Sequence, residues 1–225
     1  MTKLKTRIFL VDDHPLVREW LTNLLHQQPD LSVCGEAAAA PEALESISKL
    51  KPDVAIVDIS LQAGSGIELI KDVAALKPAV AVIVLSMHDE NLYAERALRA
   101  GARGYVMKRE TAGNVIAAIR SVLDGKMYLS ERLRTAFAEK FLQAETVSST
   151  PTVEQLSDRE LEVFQLLGQG YETRQIAETM HVSLKTVQAF CARIKDKLKL
   201  ASATELLREA VRWHENQQRG SSPGV

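Results

Sequence analysis

The sequence predicts an α/β fold, a doubly wound five-stranded parallel sheet, followed by a small all-α domain. Up to about residue 125, short unbroken apolar runs alternate with amphipathic stretches, as in strands that helices cover on both faces. A small, polar, proline-containing segment follows at 145–152 and is expected to be a flexible linker. Beyond this segment the strand signal disappears and only helical periodicity remains.

The first half of the chain reads as five consecutive strand–helix units. Right-handed crossovers between parallel strands would place the helices on both faces of the sheet. The predicted strands are 7–11, 31–35, 53–57, 80–85 and 103–107, and the predicted helices are 14–27, 41–50, 65–76, 89–99 and 111–123.

The remainder of the chain is predicted to be helical. A helix around 130–142 precedes the linker, and four more follow it near 158–169, 172–180, 184–199 and 203–214. The residues from Gln217 onward have little to bury and are expected to be disordered. We therefore expect a first domain at 1–127, a linker region at 128–154 that includes the helix near 130–142, a helical domain at 155–215 and a tail at 216–225.

Size and composition indicate an ordinary globular protein. The 225 residues suffice for one large or two ordinary domains, and 46% hydrophobic with 25% charged residues is a usual balance. The net charge of -1 argues against a globally polybasic nucleic-acid binder but leaves local basic patches open. Cys34 and Cys191 have no disulfide or zinc spacing. Without a membrane-length apolar stretch or a signal-peptide core, we expect a cytoplasmic protein.

Acidic side chains follow two of the predicted strands, and a lysine follows another. Asp12 and Asp13 come after the first apolar run, Asp58 after the third and Lys108 after the fifth. Because ligands gather at the carboxyl ends of strands in open parallel sheets, we expect these side chains to lie together. Three carboxylates repel one another unless a cation joins them, and oxygen-only ligands favour Mg2+ over Zn2+. A single aspartate here is better explained as a helix cap, but the whole set beside a lysine indicates a phosphoryl site.

These residues resemble the receiver domain of response regulators, a flavodoxin-like fold, over about the first 125 positions. The resemblance implies that Asp58 accepts a phosphoryl group in the presence of Mg2+. It implies that Asp13 ligates the metal directly and Asp12 partly through water, with Asp58 and the carbonyl of Ser60 as further ligands. A carboxylate can attack phosphorus only when the phosphoryl charge is neutralised, which Mg2+ and a lysine can do.

Three further positions match residues that respond to phosphorylation in receivers. The resemblance implies that the Ser86 hydroxyl engages the phosphoryl group, that Lys108 pairs with it, and that Tyr105 changes rotamer. Taken singly, these residues are better explained as a strand-end polar residue, a solvated charge and a core aromatic. Only their joint placement favours the functional interpretation.

Two positions depart from the receiver pattern. Leu61-Gln62 stands where the family often has Met-Pro, which frees the loop backbone but removes no phosphate ligand. Lys108 is followed by Arg109 where many receivers have proline. A receiver that is never phosphorylated therefore stays open as an alternative.

The helical half contains two helices joined by a very short step, His181-Val182-Ser183, in which Ser183 is a plausible N-cap. So brief a turn suggests a helix-turn-helix, although an ordinary helical hairpin has the same geometry. Ser157 and Glu160 form a predicted capping box ahead of these helices. Several motifs then resemble the LuxR-type DNA-binding domain over roughly 155–212. These are Leu156-Ser157-Asp158-Arg159-Glu160-Leu161-Glu162-Val163, Gly170, Gln175-Ile176-Ala177, Val182-Ser183-Leu184-Lys185-Thr186-Val187 and Lys197-Leu198.

The predicted recognition helix has one apolar stripe and one polar face. At about 100° per residue, Val187, Cys191, Ile194 and Leu198 fall on the buried side. On the other side, lysines suit phosphates, glutamine suits the N6/N7 edge of adenine, alanine suits a thymine methyl group, and arginine suits phosphate or guanine. The candidate DNA contacts are Lys185, Thr186, Gln188, Ala189, Ala192, Arg193, Lys195 and Lys199.

Two features of this half have a second explanation. The lysines at 195–199 fit a solvated helix end as well as a phosphate-binding face. Phe190, where the family often has histidine or tyrosine, is interpreted as a packing residue that stacks on no base. In the last helix, a capping box of Ser202 with Glu205 precedes an apolar face that the resemblance assigns to dimerisation, although packing within the domain explains it equally well.

The two resemblances together describe a response regulator of the NarL/FixJ type. They imply a transcription regulator rather than an enzyme, phosphorylated by a histidine kinase, binding double-stranded operator DNA, and forming a homodimer when phosphorylated or bound to DNA. The alternative is an atypical receiver whose helical domain binds a partner protein, because the base-reading face has few hydrogen-bonding side chains.

Overall fold

The computed structural model describes residues 5–61, 64–76, 80–87, 90–143 and 153–220. The chain divides into two compact units, Met1–Thr146 and Val147–Val225. The first unit alternates strands with helices, and the second is helical. The strands are β1 (Thr6–Val11), β2 (Leu31–Ala37), β3 (Val54–Val57), β4 (Ala81–Ser86) and β5 (Gly104–Met107).

The five strands form one parallel sheet in the order β2-β1-β3-β4-β5. Every residue of β3 and β5 is buried, because helices cover both faces of the sheet. This confirms the predicted doubly wound α/β fold. The helices of this unit are α1 (Pro15–His26), α2 (Ala40–Leu50), α3 (Gly66–Ala75), α4 (Glu90–Ala100), α5 (Ala112–Leu123) and α6 (Glu131–Gln143).

The segment between α5 and α6 pairs with the edge of the sheet, which the sequence did not predict. The backbone amide of Tyr105 donates to the carbonyl of Tyr128 at 3.0 Å, and the amide of Tyr128 donates to the carbonyl of Arg103 at 2.9 Å. This pairing occupies backbone groups that an edge strand would otherwise expose. Helix α6 contacts α4 and buries Leu133, so it belongs to the first compact unit.

The described residues of the second unit, 153–220, form four α-helices, as predicted. Its last helix is longer than predicted, because it runs to Gly220 instead of ending near 214. The expected disorder of the tail is therefore wrong for 216–220, where Gln217, Gln218 and Arg219 favour helix continuation. The linker at 145–152 lies outside the described residues, as does 221–225. A short 3-10 helix, Val153–Gln155, precedes α7 (Asp158–Gly168), α8 (Thr173–Thr179), α9 (Leu184–Leu198) and α10 (Ala203–Gly220).

The predicted helix caps form in this unit. The Ser157 hydroxyl accepts from the amide of Glu160, whose carboxylate accepts from the amide of Ser157 at 2.7 Å. The Ser183 hydroxyl accepts from the amide of Thr186 at 3.1 Å and starts α9. At α10 the Ser202 hydroxyl accepts from the amide of Glu205, but the Glu205 carboxylate reaches back one residue further, to the amide of Ala201.

Helices α7 and α10 pack closely in the second unit. The rings of Phe164 and Trp213 meet edge to face with centroids 5.6 Å apart. Gly168 lies directly against the carbonyl of Ala210, and Leu206 and Ala210 are buried. One face of α10 therefore packs within its own domain. Among the described residues, no helix combines the length and the apolar character that crossing a membrane requires.

Candidate functional site

The predicted acidic residues meet at the carboxyl end of the sheet. Val11 at the end of β1 pairs with Val57 at the end of β3, so Asp12 and Asp58 lie side by side. The amide of Asp58 donates to the carbonyl of Val11 at 2.8 Å, which fixes this register. Both carboxyl groups are buried, with 2% of Asp12 and 4% of Asp58 exposed.

Lys108 lies between these two carboxylates. Its ammonium nitrogen is 2.7 Å from Oδ2 of Asp58 and 2.6 Å from Oδ2 of Asp12. Burial lowers the pKa of Lys108, but Asp58 and Asp12 outweigh that effect and leave the pKa raised. The lysine is therefore a cation held at the centre of the acidic cluster.

Burial is also the largest influence on Asp58. It raises the pKa of the Asp58 carboxyl to about 6, although Lys108 and a backbone hydrogen bond from Ser60 both lower it. The neighbouring charge of Asp12 adds to the increase. Lys108 thus compensates only part of the negative charge of the carboxylates at this end of the sheet.

Asp13 offers an oxygen without a hydrogen bond. Its Oδ1 is buried and has no hydrogen-bond partner among the described residues, although Nδ1 of His14 lies 2.8 Å away without hydrogen-bond geometry. An unsatisfied buried carboxylate oxygen is costly unless a cation approaches it. Asp12, Asp13, His14 and Asp58 can each direct one ligand atom so that all four atoms lie within 4.8 Å of one another.

These four residues fit a divalent cation, and three carboxylate oxygens favour a hard one. The sequence reasoning assigned no role to His14. Its position next to two aspartates was the only available signal. A ring nitrogen at the rim would extend the range of acceptable metals beyond Mg2+.

The loop after β3 is closed tightly around Asp58. Ser60 and Ser65 form an antiparallel bridge, and the amide of Gly66 donates to the carbonyl of Ile59 at 3.0 Å. A Cβ at position 66 would lie 2.0 Å from the carbonyl oxygen of Asp58, so only glycine fits there. The sequence reasoning did not single out Gly66, and Gln62 lies outside the described residues.

Ser86 and Tyr105 lie on the adjacent strands β4 and β5, two register positions apart. Ser86 ends β4, is fully buried, and accepts at its carbonyl from the amide of Lys108 at 2.9 Å. Tyr105 pairs with Val84 in the sheet, and only 1% of it is exposed. The structure therefore holds the predicted switch aromatic inside the domain.

Helix α9 presents the polar face that its sequence predicts. Val187 and Ile194 are buried, and Cys191 and Leu198 are half-buried. Thr186 and Lys195 are half-buried as well, and the Thr186 hydroxyl lies 2.8 Å from that of Ser183 at the helix cap. The exposed candidates are Lys185, Gln188, Ala189, Ala192, Arg193 and Lys199.

Lys197 is exposed, but its ammonium is paired with a carboxylate of its own domain. Its ammonium lies 2.6 Å from a carboxylate oxygen of Glu160, which is buried in α7. Burial raises the pKa of Glu160, but Lys197 and the cap at Ser157 outweigh it and leave the pKa lowered. This ion pair holds α9 against α7. The periodicity of α9 could not predict the pair, because Glu160 lies on another helix.

Comparison with known proteins identifies both halves of the chain. The family model described as response regulator receiver domain matches residues 8–120, and the model described as bacterial regulatory proteins, luxR family, matches residues 154–210. The oxygen regulatory protein NreC of Staphylococcus aureus is 35% identical over 210 residues, which cover 92% of this chain and 97% of NreC.

Solved structures agree with these matches. A LuxR-family two-component response regulator from Aurantimonas sp. SI85-9A1 is 33% identical, covers 61% of this chain and 99% of its own, and superposes with a TM-score of 0.58. A structure of two RcsB dimers bound to two parallel DNAs is 26% identical, covers 91% and 97%, and has a TM-score of 0.56.

The matches do not favour the alternative in which the helical domain is only a protein-interaction module. They describe a family of transcription regulators rather than enzymes. The chain belongs to the two-component response regulators that join a receiver domain to a LuxR-type DNA-binding domain.

Proposed function

We propose that a histidine kinase phosphorylates Asp58 in the presence of Mg2+, and that this modification controls sequence-specific binding to double-stranded operator DNA. The observation that carries the proposal is the burial of Asp58 against Lys108 next to the unsatisfied oxygen of Asp13. A nucleophilic carboxylate, a fixed cation beside it and a set of ligand atoms that fits a divalent cation are what phosphoryl transfer to an aspartate requires.

The residues take distinct roles in this proposal. Asp13 and Asp58 would hold Mg2+ directly, Asp12 would hold it partly through water, and the carbonyl of Ser60 would be a further ligand. The metal would supply positive charge that neutralises the phosphoryl oxygens. An Asp58 oxygen then forms the new bond to phosphorus while the bond from phosphorus to the donor nitrogen breaks. Lys108 pairs with the transferred group, because its ammonium already lies beside the nucleophile.

The proposed switch runs from Asp58 to the neighbouring strands. An aspartyl phosphate adds acceptor oxygens that draw in the Ser86 hydroxyl and bias the rotamer of Tyr105. Tyr105 is hydrogen-bonded through its backbone to Tyr128, which leads into α6. A change around Tyr105 therefore has a direct connection to the segment that follows the sheet.

The proposed DNA interface is the exposed face of α9, placed in the major groove. Lys185, Lys195 and Lys199 would contact phosphates, with Thr186 at the start of the helix. Gln188 would read adenine, and Ala189 and Ala192 would touch thymine methyl groups. Arg193 would reach a phosphate or a guanine.

The proposed dimer contact is the flank of α10 that does not pack on α7. Leu207 is 45% exposed, and the half-buried Val211 lies one turn further along the helix. The structure of RcsB, a similar protein, as dimers bound to DNA supports dimer formation on DNA. A dimer would double the phosphate contacts and bind two half-sites, so DNA affinity would rise without any new type of contact.

We place the receiver domain at 1–127, the DNA-binding domain at 155–215 and, between them, a linker region at 128–154 whose helix α6 packs against α4 of the first compact unit. A partner that is DNA and a kinase that transfers phosphate to Asp58 both support a cytoplasmic location.

The direct test of the acceptor is labelling with a small-molecule phosphodonor and Mg2+, followed by intact-mass analysis. Wild type should gain one phosphoryl group and Asp58→Asn none. Equal labelling of both would remove the assignment.

DNA binding is tested separately by retardation of duplexes in a native gel. Specific retardation should weaken steeply with salt, because phosphate contacts release counterions. The double substitution Lys185→Glu with Gln188→Ala should abolish it. Lys126→Glu makes the same charge change at an exposed position in the first unit and serves as the control. Retention of specific binding by the double variant would remove α9 as the reading helix.

A further inference from the structure

We propose that Phe190 is a positioning residue that holds the guanidinium of Arg193 against its ring and so presents Arg193 to DNA. This inference rests on the proposed DNA binding. Cζ of Arg193 lies 5.8 Å from the centroid of the Phe190 ring, within the range of a cation–π contact. The two residues are three positions apart on α9, where side chains of one helix face meet.

A positioning residue has to be restrained while the residue that it positions stays accessible, and Phe190 and Arg193 differ in burial in this way. Phe190 is half-buried, so packing within the domain restrains its ring. Arg193 is exposed, so its guanidinium is accessible while one side of it rests on that ring. Phe190 therefore both packs within the domain, as predicted, and orients Arg193, which the sequence did not predict.

The guanidinium of Arg193 is not paired with a carboxylate of the described residues. In the part of the chain that the structure describes, Arg193 makes no ion pair and no hydrogen bond through its guanidinium. An aromatic ring attracts the cation without neutralising it and covers a face of the guanidinium, which leaves the in-plane N–H donors for another acceptor. Three other arginines of this domain are paired instead: Arg159 with Glu162, Arg174 with Glu178 and Arg212 with Glu209.

The acceptor that this arrangement fits is an oxygen-rich edge of DNA. A phosphate and the O6/N7 edge of guanine both accept two parallel N–H donors from a guanidinium. A restrained arginine loses less side-chain freedom on binding than a freely rotating one. Removal of the ring should therefore weaken DNA binding through Arg193, by about two- to fivefold for an exposed cation–π contact.

The test is a double-mutant cycle on the full chain. The probe is the duplex that wild type enriches from a random-sequence library, and the variants are Phe190→Leu, Arg193→Gln and both together. Phe190→Leu should weaken binding about two- to fivefold when Arg193 is present and have no effect in the Arg193→Gln background. Equal effects in both backgrounds would make Phe190 a packing residue only and overturn the inference.

Two further measurements separate positioning from folding. Phe190→Tyr keeps the ring and should retain wild-type affinity, with unchanged circular dichroism. In proton NMR without DNA, the Nε–H resonance of Arg193 should be displaced by the ring in wild type and in Phe190→Tyr. The displacement should disappear in Phe190→Leu. An undisplaced resonance in wild type would overturn the contact itself.

The same variants distinguish the two acceptors. If Arg193 contacts a phosphate, Arg193→Gln should weaken binding to all duplexes alike and reduce the salt slope by about one. If it contacts guanine, the loss should fall on one base position. Either pattern supports the inference, and unchanged affinity on every duplex overturns it. A wild-type chain that enriches no duplex would refute the proposed DNA binding as a whole, which is a different result from an absent coupling.

Discussion

The ammonium nitrogen of Lys108 lies 2.7 Å from a carboxylate oxygen of Asp58, at the point where three strands of the sheet end. The same ammonium lies 2.6 Å from Asp12, so one cation serves two buried carboxylates. With Asp13 beside them, the negative charge exceeds what Lys108 can balance. A buried charge without compensation is strongly destabilising, so this acidic cluster fits the binding of a divalent cation.

Lys108→Met should slow phosphorylation of Asp58 by small-molecule donors by at least about tenfold. The variant removes the cation beside the nucleophile, and loss of Lys108 also raises the pKa of Asp58 further, so less carboxylate is ionised. The measurement is the initial rate of phosphoryl gain by intact mass. Lys126→Met, an exposed lysine of the same unit, should label at the wild-type rate. Wild-type kinetics in Lys108→Met would contradict the proposed role.

Asp58→Asn should stabilise the metal-free protein at neutral pH. A carboxyl group whose folded-state pKa is raised binds its proton more tightly in the folded state. Its contribution to stability is therefore present in acid and lost as the pH rises through about 6. The expected gain for the variant above about pH 7 is about 1–3 kcal/mol, shrinking toward zero near the ordinary pKa of aspartate, about 4.

Urea unfolding with a chelator present measures this difference at several pH values. Asp124→Asn removes an exposed carboxyl group and should change the free energy of unfolding little at any pH. A variant that is less stable than wild type at neutral pH would mean that the Lys108 contact outweighs the burial of Asp58.

Asp13→Asn should weaken Mg2+ binding by at least about tenfold, since among the described residues it replaces the one carboxylate whose buried oxygen lacks a hydrogen bond. Mg2+ binding to the folded state should raise the melting temperature of wild type, and at the same Mg2+ concentration the increase should be smaller in the variant. Titration calorimetry gives the affinity directly. Full affinity in Asp13→Asn would exclude Asp13 as a direct ligand.

Gly168→Ala should destabilise the second unit by about 1–3 kcal/mol. The added Cβ would lie 2.5 Å from the carbonyl oxygen of Ala210, so α7 and α10 would have to separate. Gly113→Ala in α5 is the matched contrast, because its nearest neighbour would be an ordinary 3.6 Å away. That change should stabilise the protein by up to about 1 kcal/mol. Urea unfolding of both variants checks the signs, and an unaffected Gly168→Ala would contradict the close packing.

Much of the acidic site could be predicted, because parallel strands bring their carboxyl ends to one edge. Asp12, Asp58 and Lys108 each follow an apolar run, and adjacency of β1 and β3 then places the two acids together. The side chain of His14 and the close approach of Gly66 depend on loop geometry, which an apolar pattern does not encode. The pairing of Tyr128 with β5 is a single bridge, too short to produce an alternating pattern.

In the helical half, too, some features could be predicted from the sequence and others could not. Helix caps were predictable, because Ser157 and Ser183 act on residues three positions away. The ion pair of Lys197 with Glu160 joins two helices and leaves no trace in the periodicity of either. The contact of Phe190 with Arg193 is local but needs a side-chain conformation as well as a spacing.

The most direct test of the central claim is the affinity of the full chain for its enriched duplex, measured with and without a phosphodonor and Mg2+. The account predicts that the donor tightens binding by wild type and leaves Asp58→Asn unchanged. If the donor tightens both chains equally, or neither, then Asp58 does not control DNA binding.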